Sequence, residues 1–458
     1  MATTTSAIDR ARLKQLTERE RARFLERTQG SQAKFERAVQ VMPKGVPSSF
    51  QAGEPRPIYL SHGEGSRVWD VDGNEYVDFH NGFGVMCVSH GHAAIVRAVS
   101  EQAARGSHFA APTDGSIEVA EELRRRFGLP QWRFSNSGTE STMAAIHLAR
   151  GATGRDVILK MEGSYHGHHD SVMVSVRPPL DQLGEPGEPS SLPFGAGHPD
   201  AIRQLTKAVP FNDADALERA LQRFDVAAVI VEPAMMNITI VAPREGYLER
   251  VRELCDAHGA KLIFDEVKTG CTIAAGGAVE RFGGKPDMVC LAKAICGGYP
   301  GGAVGMTEEL AEEITAGRVR QVGTFNGNPL VMAAAKAALT EVLTDEAYAR
   351  FDAMNTRLLG GLDAVIARHG LPCHTIGMGS KGCVVFADEP LYEYRDYATK
   401  VDEELSVLAW LYHVNHGIFM TPGVDEQWTL SVAHTDEQLQ RYIDAFDAFA
   451  QDVTTAQV

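Results

Sequence analysis

The chain has 458 residues, of which 44 are Lys or Arg and 60 are Asp or Glu, so its formal net charge is −16. This excess of acid disfavours binding to nucleic acid or to an anionic membrane surface, and no apolar run reaches the roughly 18 residues of a membrane helix. The length predicts two to three domains with a sizeable core, and the seven scattered cysteines are typical of reduced thiols in the cytoplasm.

The N-terminal segment is predicted to be a helix followed by a hairpin. Apolar residues recur at helical spacing through residues 1–39, and residues 42–57 form a loop rich in Pro, Gly and Ser. The Asp72-Gly73-Asn74 turn lies between two alternating runs, which is a strong hairpin signal. Helices are then expected at residues 93–105 and 116–127.

The middle of the chain alternates between short apolar runs and helical segments. Apolar runs bounded by turn residues are typical of buried parallel strands, and the alternation predicts a mostly parallel sheet with helices on both faces. The predicted strands are residues 132–134, 157–161, 227–231, 262–264 and 288–292, and the predicted helices are residues 141–150, 214–224 and 246–258.

The last third of the chain has a different pattern. Long helices are predicted at residues 330–344 and 348–369, and short strands and helices follow them. This pattern is typical of an α+β unit. We therefore predict a helix and hairpin segment at residues 1–75 that joins the small domain, a large α/β domain at residues 76–335, and a small α+β domain at residues 336–458.

Two of the predicted strand ends carry opposite charges. Asp265 follows the run at residues 262–264, and Lys293 follows the run at residues 288–292. Functional groups in parallel sheets lie at the carboxyl ends of the strands, so the two side chains are expected at one edge. They could form a buried ion pair, which is costly to desolvate, or they could hold a ligand between them. Pyridoxal 5′-phosphate (PLP) requires a nucleophilic lysine and an acid at its pyridine nitrogen.

Three further strand ends carry polar side chains. The Ser-Gly-Thr turn at residues 137–139 precedes a helix, where free backbone N–H groups suit a phosphate, although Ser and Thr are also ordinary helix caps. Tyr165 offers an aromatic face to a planar ligand, or is simply a loop residue. Glu232 ends another apolar run. No His, Cys and carboxylate set has the spacing of metal ligands, so no metal site is predicted.

Seven motifs follow one another along the chain. They are VWDVDGNEYVD at 68–78, SNSGTE at 135–140, YHG at 165–167, VEP at 231–233, FDEV at 264–267, CLAK at 290–293 and GTFNGNP at 323–329. Together they resemble the class III (ω-type) aminotransferases, a family of fold type I PLP-dependent transferases, and the similarity extends over nearly the whole chain. The tail, LSVAHT at residues 430–435, resembles the branch of glutamate-1-semialdehyde aminomutases and their aminotransferase relatives.

The resemblance implies a role for each strand-end residue. Lys293 would form a Schiff base with PLP and later move a substrate proton, and Asp265 would pair with the pyridine nitrogen. The other implied cofactor contacts are Ser137, Gly138 and Thr139 at the phosphate, Tyr165 and Val267 on the two ring faces, Glu232 near the ring and its oxygen, and Thr324, which would reach the phosphate bound by the other subunit of a homodimer.

The positions that the resemblance assigns to the substrate are Ser48, Gln51, Phe83 and Glu426. In the aminomutases an arginine aligns with Gln51, in β-amino acid enzymes one aligns with Ser48, and neither is present here. The family pattern Thr-Gly-Phe-Arg is TGCT at residues 269–272. Two arginine clamps for a carboxylate are therefore absent, and Phe83 stands at a tryptophan position. We expect a hydrophobic or aromatic amino donor to be preferred over glutamate-1-semialdehyde.

The resemblance favours an aminotransferase that moves an amino group from an amine or amino acid donor to a keto or aldehyde acceptor by a ping-pong mechanism. The alternative is a glutamate-1-semialdehyde 2,1-aminomutase type of enzyme, which transfers the amino group within one molecule. A catalytically silent protein of the same fold is a third hypothesis, which the presence of Lys293 disfavours. The expected partners are small molecules and a second copy of the chain, without nucleic acid or membrane.

Overall fold

The structure is a computed structural model that describes residues 8–424 and 427–454. None of the helices in this part of the chain is long and apolar enough to cross a membrane. In chain order the α-helices are α1 (Arg10–Arg27), α2 (Gln29–Ala38), α3 (Asn81–Gly84), α4 (Ala93–Arg105), α5 (Asp114–Phe127), α6 (Gly138–Thr153), α7 (Asp200–Arg203), α8 (Ala214–Arg223), α9 (Tyr247–His258), α10 (Gly277–Phe282), α11 (Glu308–Thr315), α12 (Pro329–Ala337), α13 (Asp345–His369), α14 (Tyr394–Lys400), α15 (Glu403–Asn415) and α16 (Asp436–Thr454).

The strands are mostly short. In chain order they are β1 (Leu60–Glu64), β2 (Arg67–Asp70), β3 (Glu75–Asp78), β4 (Gln131–Ser135), β5 (Val157–Met161), β6 (Gly184–Glu185), β7 (Glu188–Pro189), β8 (Thr206–Val209), β9 (Val226–Val231), β10 (Lys261–Asp265), β11 (Met288–Ala292), β12 (Gly302–Met306), β13 (His374–Met378), β14 (Lys381–Val385), β15 (Ile418–Phe419) and β16 (Gln427–Thr429).

The described residues divide into two compact units. The first lies within Met1–His92, Ala349–Pro390 and Lys400–Val458, and the second within Ala93–Tyr348 and Leu391–Thr399. The domain boundaries at residues 75 and 335 stay a prediction, because compactness alone does not show which segments fold as independent domains.

The second unit is built on a seven-stranded sheet in the order β4-β12-β11-β10-β9-β5-β8. The pairings from β11 through β10, β9 and β5 to β8 are parallel, and β12 is antiparallel to both neighbours. The five predicted strands are confirmed to within one residue at each end, as is the mostly parallel sheet. β8 and β12 are not among the predicted strands, and β12 has a weak strand signal because Gly302 and Gly305 interrupt it.

Helix α6 is anchored on this sheet by small and branched apolar residues. Ala145, Ile146, Leu148 and Ala149 are buried in one core with residues of the central strands. Near the start of the helix, the Ser141 hydroxyl donates to the carbonyl of Leu291 at 3.1 Å, close to the end of β11. The N-terminus of α6 is thereby held at the edge where β10 and β11 end.

The first unit contains two small sheets. One has the order β1-β2-β3-β15, in which β15 runs parallel to β3 and the other pairings are antiparallel, and the second has the order β13-β14-β16. The hairpin predicted at the Asp72-Gly73-Asn74 turn is confirmed between β2 and β3. Gly73 has a φ of +85°, a left-handed conformation that glycine adopts without steric cost.

A helix is predicted over residues 1–39, of which residues 1–7 are outside the described residues. The prediction is wrong at Thr28, where the helix breaks between α1 and α2. The buried guanidinium of Arg56 donates to the carbonyls of Leu25 at 2.7 Å and Thr28 at 2.8 Å. The Leu25 carbonyl would accept from residue 29 in an unbroken helix. A side chain distant in sequence therefore offers these carbonyls another donor.

The helix predicted at residues 330–344 is also shorter than expected. Regular α-helix ends at Ala337, and residues 338–342 form a π-helical turn in which the N–H of Leu343 donates to Ala338 at 2.9 Å. The buried Arg126 side chain donates to the carbonyls of Leu339 at 2.6 Å and Leu343 at 2.8 Å. Two carbonyls are thus bound by a cation from another helix, which accounts for the widened turn.

Candidate active site

The carboxylate of Asp265 lies at the end of β10 and is almost fully buried, with 4% of its surface exposed. One oxygen accepts from the N–H of Val267 at 3.0 Å, and the other is 2.8 Å from Nδ1 of His166. The other ring nitrogen of His166 is buried without a partner among the described residues. A carboxylate held by two donors is fixed in position, and its remaining lone pairs can accept from a ligand.

The next residue, Glu266, is directed elsewhere, as expected for neighbouring positions at a strand end. Its carboxylate accepts from the hydroxyl of Thr269 at 2.9 Å and from the backbone N–H groups of Ala278 at 2.6 Å and Val279 at 3.2 Å. Complete burial raises the pKa of Glu266 to about 7 in spite of these donors. The two acids that end this run therefore have different partners, with His166 at Asp265 and the residues 269, 278 and 279 at Glu266.

Lys293 begins a 3-10 turn directly after β11. Its φ of +51° is unusual for a residue with a side chain and costs on the order of 1–3 kcal/mol, which is typical of functional sites. Burial is the largest influence on its amine, followed by the charge of Lys268, and both lower the pKa of Lys293 to about 8, whereas the charges of Asp265 and Glu232 act in the opposite direction. An amine with this pKa is a nucleophile near neutral pH.

The start of α6 is both a helix cap and an open anion site. The hydroxyl of Ser137 accepts from the N–H of Glu140 at 3.2 Å, and the Glu140 carboxylate reaches back to the N–H of Asn136 at 2.7 Å. The N–H groups of Gly138 and Thr139 belong to the first turn, where no intrahelical acceptor exists. They point outward from the positive end of the helix dipole.

Two glycines allow the neighbouring segments to approach this turn. A Cβ on Gly138 would lie 2.9 Å and 3.0 Å from the two methyl carbons of Val267, and a Cβ on Gly167 would lie 2.7 Å from the Cα of Thr139. The N–H of His168 donates to the Thr139 hydroxyl at 3.0 Å. The turn at 137–139, Val267 and the loop after β5 therefore meet at one place.

A buried lysine that the sequence analysis did not identify contacts the backbone of the loop after β5. Lys160 is fully buried on β5, and its ammonium donates to the carbonyls of Ser164 at 2.8 Å and Val174 at 2.5 Å. Burial lowers the pKa of Lys160 to about 7. These contacts fix the loop on which Tyr165 and His166 lie. Burial and the charge of Asp265 raise the pKa of the Tyr165 hydroxyl.

The carboxylate of Glu232, at the end of β9, organises the segment that follows it. One oxygen accepts from the N–H of Tyr165 at 2.8 Å. The other accepts from the N–H of Met236 and the side-chain amide of Asn237, both at 2.9 Å. The ammonium of Lys268 donates to the carbonyl of Met236. Glu232 thus links the Tyr165 loop to a backbone segment that Lys268 also contacts.

The described residues that were predicted to contact the substrate do not lie in the second unit, which contains the predicted cofactor residues. Ser48, Gln51 and Phe83 lie in the first unit, and Glu426 is outside the described residues. Ser48 and Gln51 are exposed, and Phe83 has a φ of +59°, with its ring 4.3 Å from that of His80 in a T-shaped contact. The substrate roles of these four residues stay a prediction.

Thr324 is an exposed residue of the second unit. It lines a cavity of 740 Å³ together with His108, Phe109 and Asn326. The side-chain oxygen of Asn326 accepts from the side-chain amide of Asn136, next to the turn at 137–139, at 3.0 Å. The predicted contact of Thr324 with a second subunit is not represented in a single chain and stays a prediction.

The residues of the second unit fit PLP. The buried carboxylate of Asp265 and the amine of Lys293, whose pKa is lowered, lie at the ends of adjacent parallel strands. Asp265 is paired in register with Cys290, three residues before Lys293. The unsubstituted Cα of Gly138 brings the anion site at the start of α6 against Val267. The set therefore contains the groups that PLP requires: donors for an anion, a buried carboxylate and a lysine.

Comparison with known proteins places these features in a family. Residues 49–395 match the class III aminotransferase family. Glutamate-1-semialdehyde 2,1-aminomutase 2 of Brevibacillus brevis is 39% identical over 419 residues, which cover 90% of this chain and 96% of that protein.

Two solved structures are similar over nearly the whole chain. A glutamate-1-semialdehyde aminomutase from Pseudomonas aeruginosa PAO1 has a TM-score of 0.90 and 30% identity, covering 97% of this chain and 99% of its own. An ω-transaminase from Sphaerobacter thermophilus has a TM-score of 0.88 and 34% identity, covering 92% and 97%. The predicted fold type I of PLP-dependent transferases is thereby confirmed.

Proposed function

The chain belongs to the class III aminotransferases, which are PLP-dependent enzymes, and from this premise we propose that it transfers an amino group within one molecule, as an aminomutase of the glutamate-1-semialdehyde type. The observation that carries the proposal is the identity of 39% to such an aminomutase over 90% of the chain. This similarity supports the aminomutase alternative better than the ping-pong aminotransferase that the sequence analysis preferred.

Asp265 and Lys293 are the residues we propose for the chemistry. PLP, when bound, withdraws electrons from the carbon that carries the amino group. Asp265, held by His166 and Val267 N–H, would keep a proton on the pyridine nitrogen, because an ionised acceptor favours the protonated form of its partner. Lys293 would bind the cofactor through its amine and afterwards carry the substrate proton, for which a pKa of about 8 is suitable.

The surrounding residues would position the cofactor. The Ser137 hydroxyl and the N–H groups of Gly138 and Thr139 would bind the phosphate, since the first turn of a helix offers free donors to an anion. We propose that Tyr165 and Val267 contact the two faces of the ring, and that Glu232 lies near the ring oxygen.

A ping-pong aminotransferase remains the second candidate, because a specific feature favours it. Residues 46–51 contain no arginine, and Thr272 occupies the place of the arginine in the family pattern Thr-Gly-Phe-Arg. Without these clamps the chain has lost two fixed bidentate partners for a carboxylate. This loss is the basis of the expected preference for a hydrophobic or aromatic amino donor.

The two candidates differ in whether turnover requires a keto acid as a second substrate. The holoenzyme is given glutamate-1-semialdehyde with no keto acid, and formation of 5-aminolevulinate is followed. An aminomutase converts its substrate over many turnovers, whereas an aminotransferase stops after one equivalent. If the protein is an aminotransferase, a panel of amines and β-amino acids identifies its donor. For each compound, the conversion of the cofactor to its aminated form is measured. Lys293→Ala is the inactive control, and activity close to wild type in that variant would refute the assignment of the lysine.

We also propose that the functional form is a homodimer in which Thr324 of one subunit reaches the phosphate bound by the other. The exposure of Thr324 and its position on the 740 Å³ cavity support this arrangement. The neighbouring apolar side chains Val322 and Phe325 are 84% and 57% exposed, which is unusual for large apolar residues of a monomer surface.

A further inference from the structure

Lys268 is a second cation close to Asp265 that the functions above do not use. Its side chain is half-buried, and its ammonium donates to one backbone carbonyl, that of Met236. An ammonium has three donors, and within the described residues no carboxylate forms an ion pair with Lys268. The half-buried ammonium therefore has donors left for an anion from outside the chain.

The carboxylates of Asp265 and Glu232 contact other groups, and neither forms an ion pair with Lys268 in the described part of the chain. Asp265 accepts from His166 and from the N–H of Val267. Glu232 accepts from two backbone N–H groups and from the side chain of Asn237. The positive charge of Lys268 is therefore left for another anion.

Lys268 also acts on the amine on which the proposed reaction depends. After burial, the charge of Lys268 is the largest influence on the pKa of Lys293, and the charges of Asp265 and Glu232 act in the opposite direction. The ammonium contacts the carbonyl of Met236, whose N–H donates to the carboxylate of Glu232. The other oxygen of that carboxylate accepts from the N–H of Tyr165, in the loop that contacts Asp265 through His166. An anion bound at Lys268 would therefore lie near the residues that we propose for the chemistry.

We propose that the ammonium of Lys268 binds the carboxylate of the substrate. This inference rests on the proposed function and names its substrate class, a small amino acid or amino aldehyde with a carboxylate a few bonds from the reacting carbon. Lys268 would supply a cation in a chain that lacks an arginine at residues 46–51 and has Thr272 in the family's second arginine position. A lysine is a point charge on a flexible stem, so it can accept carboxylates at more than one distance.

The test uses two unreactive ligands that differ only in charge, valerate and valeramide. Their affinities for the holoenzyme are measured by calorimetry in the wild type, Lys268→Met, Lys268→Arg and Lys285→Met. Lys285 is an exposed lysine of the same unit, so its variant controls for loss of a positive charge. We expect the wild type to prefer valerate about ten- to hundredfold, as for a hydrogen bond to a charged partner. Lys268→Met should lose that preference, and the other two variants should keep it.

Three results would overturn the proposal. The wild type could bind both ligands equally, Lys268→Met could weaken both ligands to the same extent, or it could change only the affinity for PLP, which is measured in parallel. The second result would mean that Lys268 only holds the segment at Met236. Because the ligands do not react, a chain that fails the turnover assay under "Proposed function" still gives a clear answer here.

Discussion

The amine of Lys293 should lose its proton far more easily than that of an ordinary lysine. Its environment lowers the pKa of Lys293 from 10.5 to about 8, with burial as the main cause and the ammonium of Lys268 as the second. The amine is neutral above its pKa, so a lower pKa extends the nucleophilic form toward neutral pH. At pH 7.5 a pKa of 8 leaves about a quarter of the amines neutral, against about one in a thousand at a pKa of 10.5.

The rate at which the apoprotein captures PLP measures this difference. Capture requires the neutral amine, because the lone pair attacks the carbonyl carbon. In stopped-flow experiments followed by the absorbance of bound cofactor, the rate should rise with pH and reach half of its maximum near pH 8. Lys268→Met removes the positive charge that most lowers the pKa of Lys293 and should move the midpoint to higher pH. Lys285→Met, which changes an exposed lysine, should leave the midpoint in place.

A wild-type midpoint near 10.5 would show that the site does not tune the amine. Equal midpoints in wild type and Lys268→Met would show that the charge of Lys268 does not act on Lys293. Capture by Lys293→Ala at the wild-type rate would refute the requirement for this lysine altogether.

The remaining predictions concern the carboxylate, the turn and the assembly. Asp265→Asn should retain part of the cofactor affinity but lower kcat about a hundredfold or more, and an unchanged kcat would contradict the proposed role at the ring nitrogen. His166→Ala removes one donor from a buried carboxylate, worth about 1.5–3 kcal/mol, so kcat should fall by about tenfold or more while thermal melting reports any separate loss of fold. Gly138→Ala places a Cβ within 3.0 Å of the Val267 methyl carbons. The overpacking costs about 1–3 kcal/mol and should weaken PLP binding, measured by equilibrium dialysis. Wild-type affinity in this variant would count against the turn as the phosphate site. The protein should have the mass of a dimer in light scattering, and Thr324→Ala should weaken PLP binding without changing that mass; a fully active monomer would refute the shared site.

The sequence by itself determined the features that depend on local pattern. Unbroken apolar runs predicted the core strands, because a strand buried on both faces must be apolar throughout. The acid after one run and the lysine after another were predicted to share an edge, and the register of β10 with β11 brings Asp265 next to Cys290 as that prediction requires. The glycine turn at residue 73 predicted a hairpin because few other residues adopt a positive φ.

Only the tertiary structure decided which side chains act on one another. His166 contacts Asp265 across 99 positions of sequence, and Arg126 interrupts a helix more than 200 positions away, so neither contact follows from local spacing. Nothing in the sequence distinguishes Lys268 from an ordinary surface lysine, but in the fold its charge lowers the pKa of Lys293. Hydrophobic periodicity reports which face of an element is buried. It does not report the partners of a buried polar group, which are set by the packing of elements that are distant in the chain.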